Sequence, residues 1–244
     1  MIKENGNCPP GSGCRVVGRY HSRRNRVLLV SFQLKGGAPG QVVLKIYPAA
    51  EGAAAEYRHL SELAAAGISV PQPLALDGFR LYLQHLEGLL LTEIVERSLV
   101  PQAVWTESLA QWYCRLHRAT LDREGNVFLK TDNNLRNFIY REGSFYGLDF
   151  EDCSRGAPAR DIGQLCAFIL ADRPAFTGAK QAAVAELVAR YLSGSGLCSP
   201  EEIQRETRCE LERMAERRLE EREAIKAFID YLPVAGKAIF PRPV

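Results

Sequence analysis

Over the first third of the chain, apolar residues alternate with polar ones; over the rest they recur mostly at helical spacing. Residues 14–20 and 27–34 read as two strands separated by the polar stretch 21–26, and residues 41–47 as a third and stronger one. Residues 53–66 predict a helix whose buried stripe carries Leu60 and Leu63, with Glu56 on that same stripe and Glu51, Arg58 and Glu62 opposite. Gly67 ends it, and Pro71 and Pro73 impose an extended chain leading to strands near 73–76 and 81–86. Helices follow over 90–97, 104–119, 161–170 and 179–192. The capping box of Ser199 and Glu202, with Pro200 at the first helical position, opens one long helix running to Leu232. Between these helices, apolar residues flanking Asp132–Asn137 and the run 146–150 read as a hairpin around the polar turn 141–144. The pattern is that of an α+β protein.

Two charges violate this pattern. Lys45 sits inside the apolar run Val42–Val43–Leu44–Lys45–Ile46–Tyr47, and Glu56 lies on the buried face of the next helix. Burying either alone is expensive. An edge-strand lysine that snorkels to solvent is one explanation for Lys45; an ion pair with Glu56 explains both. At the hairpin, Asp132 and Asn137 are five residues apart and the following strand delivers Asp149. Asp and Asn are common turn residues, so a purely structural cap is the plain alternative. The chemistry that needs two carboxylates and an amide together is phosphoryl transfer. One carboxylate orients and deprotonates an attacking hydroxyl, while the other and the amide oxygen hold Mg on the nucleotide phosphates.

With Lys45 and Glu56 upstream and Asp161 downstream, the order resembles the protein-kinase-like superfamily. It is most similar to its aminoglycoside-phosphotransferase and lipopolysaccharide-core heptose or Kdo kinase branches. The resemblance spans roughly residues 14–195 and implies a bilobal fold: residues 1–86 as a small antiparallel-sheet lobe, residues 87–244 as a mainly helical one. It implies ATP and Mg as cofactors and a small-molecule, sugar or glycolipid acceptor. Asp132 would activate the acceptor, Lys45 hold phosphates, Glu56 position Lys45, and Asn137 and Asp149 bind Mg. Asn25 would lie in the phosphate-covering turn, where Arg23 and Arg24 are either phosphate clamps or solvated charges. The carbonyl of Gln84 and the N–H of Leu86 would read adenine at the hinge. Asp161 would cap a helix and anchor the catalytic loop.

Three departures qualify the resemblance. Lys130 stands where these families usually carry a bracing His. Asn134 replaces the lysine of serine/threonine protein kinases. Asp149 and Asp161 are only twelve residues apart, too close for the activation segment with which protein kinases dock peptides. A conventional protein kinase is therefore disfavoured, and a nucleotide-binding pseudokinase acting as an interaction module is the main alternative. A formal charge of +2 over 244 residues gives no argument for nucleic acid. No apolar run approaches the roughly 20 residues of a membrane span. The polar start lacks a secretory h-region, and the seven scattered cysteines form no Cys-x-x-Cys pair, which together predict a cytoplasmic protein with reduced thiols. His117, Trp105 and Trp112 read as packing residues, and the Glu/Arg-rich stretch 210–223 as a solvated helix face.

Overall fold

The computed structural model describes residues 14–33 and 40–231, and the chain divides into two compact units at Glu87/Gly88, one residue beyond the boundary read from the sequence. The leader with Gly11 and Gly13, the start of the Gly36 turn and the tail 233–244 lie outside the described residues.

In the first unit, β1 (Cys14–Tyr20), β2 (Arg26–Phe32), β3 (Gly40–Ile46), β4 (Pro73–Asp77) and β5 (Arg80–Gln84) form one antiparallel sheet in the order β1-β2-β3-β5-β4. Leu28, Val30 and Leu44 are its buried centre, flanked by Val16, Val42, Ile46 and Tyr82. The register pairs Lys45 with Val27 on one side and Leu81 on the other. Lys45 therefore lies on the central strand, and the edge-strand explanation for it fails. Helix α1 (Ala50–Ala65) buries Ala53, Glu56, Leu60 and Leu63 and exposes Glu51, Arg58 and Glu62, the division its spacing requires. Cys14 is disulfide-bonded, a departure from the expected reduced thiols; Cys114, Cys153, Cys166, Cys198 and Cys209 are free.

The second unit opens with β6 (Leu89–Leu90), α2 (Leu91–Arg97) and α3 (Gln102–Thr120). Next come β7 (Val127–Leu129), a single 3-10 turn (Leu135–Asn137), and the hairpin β8 (Phe138–Arg141) and β9 (Ser144–Gly147). A short β10 (Ser154–Gly156), paired with β7, precedes α4 (Ala159–Ala171), α5 (Gly178–Ser195), α6 (Pro200–Arg217) and α7 (Arg222–Tyr231). Helix α3 packs on α5, and α4 on α6. Trp112 of α3 is wholly buried beneath the hairpin, edge-on to Phe138 at 5.7 Å between ring centroids. Gly147 is the residue that admits it, because a Cβ there would stand 2.5 Å from the Trp112 ring.

Two expectations fail in the C-terminal helices. The single helix expected from Ser199 to Leu232 breaks at residues 218–221. Arg218 leaves helical geometry and donates to the Ala171 carbonyl and to Glu221, while Arg222 Nε donates to the Ala215 carbonyl. Arginine side chains thus satisfy the carbonyls at the ends of α4 and α6, and the chain turns back as α7, burying Ile225, Phe228 and Ile229. The Glu/Arg-rich stretch is also not uniformly solvated, since Glu210 is buried and bonds both Arg213 and Arg217. The capping box of Ser199 and Glu202 is present with both hydrogen bonds.

The packing of α4 on α6 leaves no room at Gly163: a Cβ would approach Glu206 Cβ at 2.5 Å and Thr207 N at 2.7 Å. Gly163→Ala is expected to lower stability by about 1–3 kcal/mol through overpacking. Urea denaturation read by far-UV circular dichroism checks this, and an unchanged midpoint would show that the two helices can yield.

Candidate active site

In the first unit, Lys45 Nζ donates to Glu56 Oε2 at 2.7 Å, and both residues are buried. The strand supplies the lysine from its centre and the helix supplies the carboxylate from its inward face, so each charge has its counter-charge where solvent is absent. The Tyr47 hydroxyl donates to the same carboxylate oxygen, and its ring centroid lies 5.1 Å from the ammonium. Tyr47 was missed at the sequence level, although it follows Lys45 by two residues and strand periodicity puts both on one face.

Asn25 closes the turn between β1 and β2, where its N–H donates to Ser22 Oγ at 3.1 Å; Arg23 and Arg24 are exposed beside it. Gln84 ends β5 with its N–H on the Gln72 carbonyl at 2.9 Å, and its side-chain oxygen accepts the Gln72 N–H at 3.3 Å. The Leu86 side chain is buried just beyond.

In the second unit the site is built outward from Asp161, which is buried in the first turn of α4. It does not cap that helix; Pro158 occupies the N-cap. Its carboxylate instead accepts the main-chain N–H groups of Lys130 at 2.8 Å and Thr131 at 3.2 Å, and the Asn133 side-chain amide at 3.1 Å. His117 of α3 completes the set, spanning Asp161 Oδ2 at 3.3 Å and the Tyr191 hydroxyl at 2.8 Å. Burial alone would raise the pKa of Asp161, but His117, the Lys130 N–H and Asn133 together hold it below its ordinary value.

The loop held in this way is strained. Thr131 has φ +64°, and the Asp132 N–H donates back to the Lys130 carbonyl at 2.8 Å, a tight three-residue turn. A β-branched residue in that region costs on the order of 1–3 kcal/mol and persists only when its surroundings impose it. Asp161 imposes it from below, and Thr131 Oγ1 donates to the Asp152 carbonyl at 2.7 Å from the side. The strained turn ends at Asp132, which is exposed and whose Oδ1 accepts the Asn134 N–H at 3.1 Å.

Asn134 then starts the 3-10 turn by accepting the Arg136 N–H at 3.1 Å, and that turn ends at Asn137. Asn137 Nδ2 donates to the Asp132 carbonyl at 3.3 Å, which leaves its oxygen as the acceptor end. The Leu148 N–H donates to the Asn137 carbonyl at 2.8 Å and continues the β8–β9 ladder beyond Phe138 and Gly147. Asp149 follows at once, its φ of +61° turning the chain out of the strand. Asn137 is thus tied to the Asp132 main chain through its side chain and to Leu148, the residue before Asp149, through its carbonyl. An Asn oxygen and a partly exposed carboxylate are hard oxygen donors of the kind Mg takes, so the residues present fit that ion.

Lys130 occupies the position where the resemblance puts a His. It is wholly buried, with Nζ donating to the Asp132 carbonyl at 2.7 Å and the Phe138 and Phe150 ring centroids each 5.2 Å away. Desolvation lowers its pKa, while Asp132 and Asp149 act in the opposite direction.

With this geometry described, comparison with known proteins can be read directly. Residues 28–130 match a family described as the phosphotransferase enzyme family. No curated protein matches the sequence. Among solved structures, an ethanolamine kinase from Plasmodium vivax superposes with a TM-score of 0.62 at 11% identity, covering 93% of this chain and 79% of that one. A choline/ethanolamine kinase family protein from Mesorhizobium loti gives 0.60 at 16% identity, covering 91% and 89%. The macrolide 2'-phosphotransferase MphH from Brachybacterium faecium gives 0.57 at 17% identity, covering 93% and 94%. The fold is shared with these kinases and phosphotransferases. Among the described residues, no helix is long and apolar enough to cross a membrane.

Within this kinase-like fold, two groups are expected to carry measurable stability. Lys45→Met leaves the Glu56 carboxylate buried without its cation and is expected to cost about 3–5 kcal/mol in urea unfolding. A loss below about 1 kcal/mol would mean that the remaining partners of Glu56, Tyr47 among them, satisfy it. Asp161 has a depressed pKa in the folded state, so its contribution is present above the ordinary value of 3.8 and is lost as pH falls through the lower folded value. Asp161→Asn is therefore expected to cost about 1–3 kcal/mol near neutral pH. The gap to wild type should narrow as pH drops below 3.8. Unfolding curves across that range check it; a gap that stays constant would show that Asp161 titrates like a solvated carboxyl.

Proposed function

We propose that this chain transfers the γ-phosphoryl group of ATP, with Mg, to a hydroxyl of a small molecule, with a sugar or glycolipid as the acceptor class. The observation that supports the reading is the pair of hydrogen bonds that ties Asn137 to the main chain of Asp132 and to Leu148, the residue before Asp149. Phosphoryl transfer asks for little covalent chemistry from the protein and much positioning, and a strained, fully bonded loop supplies positioning.

In this reading Asp132, exposed at the end of its turn, accepts the proton of the acceptor hydroxyl and aligns its oxygen on the phosphorus. Asn137 through its amide oxygen and Asp149 through its carboxylate hold the metal. A Mg ion held there would supply charge neutralisation to the transferring phosphoryl group. Lys45, kept in place by Glu56, holds the phosphates of the nucleotide. Asn25 and its neighbours in the β1–β2 turn cover them, and the main chain at Gln84 and Leu86 reads the base.

The acceptor is read as a small molecule for a local reason. The stretch between Asp149 and Asp161 holds only the three-residue β10 before α4 begins, which leaves no platform for a peptide. The structural neighbours support the same class: one is a kinase of ethanolamine, another a phosphotransferase of macrolides. An aminoglycoside phosphotransferase bound to ADP and an amicoumacin kinase bound to AMP-PNP and calcium support nucleotide and divalent-metal use.

The test is phosphate release and transfer from ATP with Mg over a panel of sugars and glycolipids, together with nucleotide binding by thermal shift. Asp132→Ala is expected to cut turnover by about 10²–10⁴-fold while sparing nucleotide binding. Asp149→Ala is expected to remove the Mg dependence of binding. Tight nucleotide binding with no transfer to any acceptor would replace this reading with that of a pseudokinase. Absence of nucleotide binding would overturn it outright.

A further inference from the structure

The position before the strained turn carries a feature that phosphoryl transfer by itself does not explain. Lys130 is among the largest wholly buried side chains, and its ammonium pairs directly with no carboxylate among the described residues. An ammonium in such surroundings is expensive unless something nearby compensates it. Part of the compensation is local: the main-chain carbonyl of Asp132 at 2.7 Å, and the faces of Phe138 and Phe150, whose ring centroids are both 5.2 Å from Nζ. Phe138 follows Asn137 directly and Phe150 follows Asp149, so the cation is lodged between the residues next to the two metal-site side chains and the main chain of Asp132. The remaining compensation is longer-ranged, and it comes first from Asp132 and Asp149, the largest attractive influences on its charge.

We propose that Lys130 is a positioning residue with an electrostatic duty, a built-in cation that fixes the main chain at Asp132 and offsets the mutual repulsion of Asp132 and Asp149. The inference rests on the reading of Asp132, Asn137 and Asp149 as a metal-dependent phosphotransfer site. A neutral imidazole at this position would brace the loop without adding charge. Lysine does both, at a cost: its charge competes with the metal for the same carboxylates. The consequence is a split that ordinary structural support does not produce. Removing the charge should tighten divalent-cation binding while it slows turnover, because metal affinity then loses a repulsive neighbour and Asp132 loses its tether.

The experiment uses two variants of the full chain. Lys130→Gln keeps a hydrogen-bond donor and drops the charge; Lys130→Met drops both. Mn2+ binding is followed by electron paramagnetic resonance at saturating ADP, and kcat and KM for ATP are measured separately. Both variants are expected to bind Mn2+ on the order of 3- to 10-fold tighter than wild type. The kcat is expected to fall in both, further in Met than in Gln, with KM for ATP little changed. Unchanged or weaker Mn2+ binding in folded variants would overturn the proposal, as would a rise in KM with kcat intact. Loss of folding in both would also overturn it and make Lys130 a stability residue only. Asp149→Ala separates the two levels of inference. If it leaves Mn2+ binding intact, the metal-site reading itself fails and takes this inference with it. If it abolishes binding while the Lys130 variants bind as wild type does, the inference about Lys130 fails alone.

Discussion

One carboxylate governs the loop after β7 in the second unit. Asp161 takes two main-chain N–H groups, one side-chain amide and one imidazole while almost wholly excluded from water. The effect of these bonds is to force Thr131 into a backbone conformation that it would not adopt unaided, and the strained turn delivers Asp132 to the surface with its direction set. The partners come from two parts of the second unit, His117 from α3 and Lys130, Thr131 and Asn133 from the loop after β7, while Asp161 itself lies on α4. The loop is thus held jointly by its own donors and by side chains from α3 and α4.

The first unit solves a similar problem with fewer parts. A central strand carries Lys45 and a helix carries Glu56, and burial turns what would be a weak surface pair into a mutual requirement. The Tyr47 hydroxyl adds a second donor to the same oxygen, leaving the carboxylate little rotational freedom. In both units a buried carboxylate is held by donors drawn from separate elements, Glu56 by Lys45 and Tyr47 and Asp161 by His117 and the loop after β7.

Much of this was legible in the sequence, and the reason is periodicity. Glu56 falls on the apolar stripe of α1, and Lys45 interrupts an unbroken strand, so their anomaly shows without coordinates. The hairpin that brings Asp149 beside Asn137 is likewise written in two short apolar runs with a polar turn between them. What was not legible depends on contacts between distant residues. His117 looks like any polar residue near a helix end; its contact with Asp161 joins positions 44 apart, and that with Tyr191 positions 74 apart. The break between α6 and α7 leaves no Pro or Gly signal, because it is made by arginines reaching the carbonyls of Ala171 and Ala215. Glu210 resembles its solvated neighbours in sequence and is buried only because α6 lies against α4.

Lys130 shows where a motif comparison and a physical reading part company. Compared with a pattern that has histidine, lysine is a defect, and the natural conclusion is a loop without its brace. The structure gives the opposite result, since the lysine reaches the Asp132 carbonyl and is packed between two aromatic rings. The imidazole that the loop lacks at this position is present in the same network, contributed by His117 from α3. Bracing is therefore a property of the network, and the residue at any one position is free to change so long as the bonds to Asp161 and to the Asp132 carbonyl are still made. What does change with lysine is charge, which acts at longer range on the Asp132 and Asp149 carboxylates.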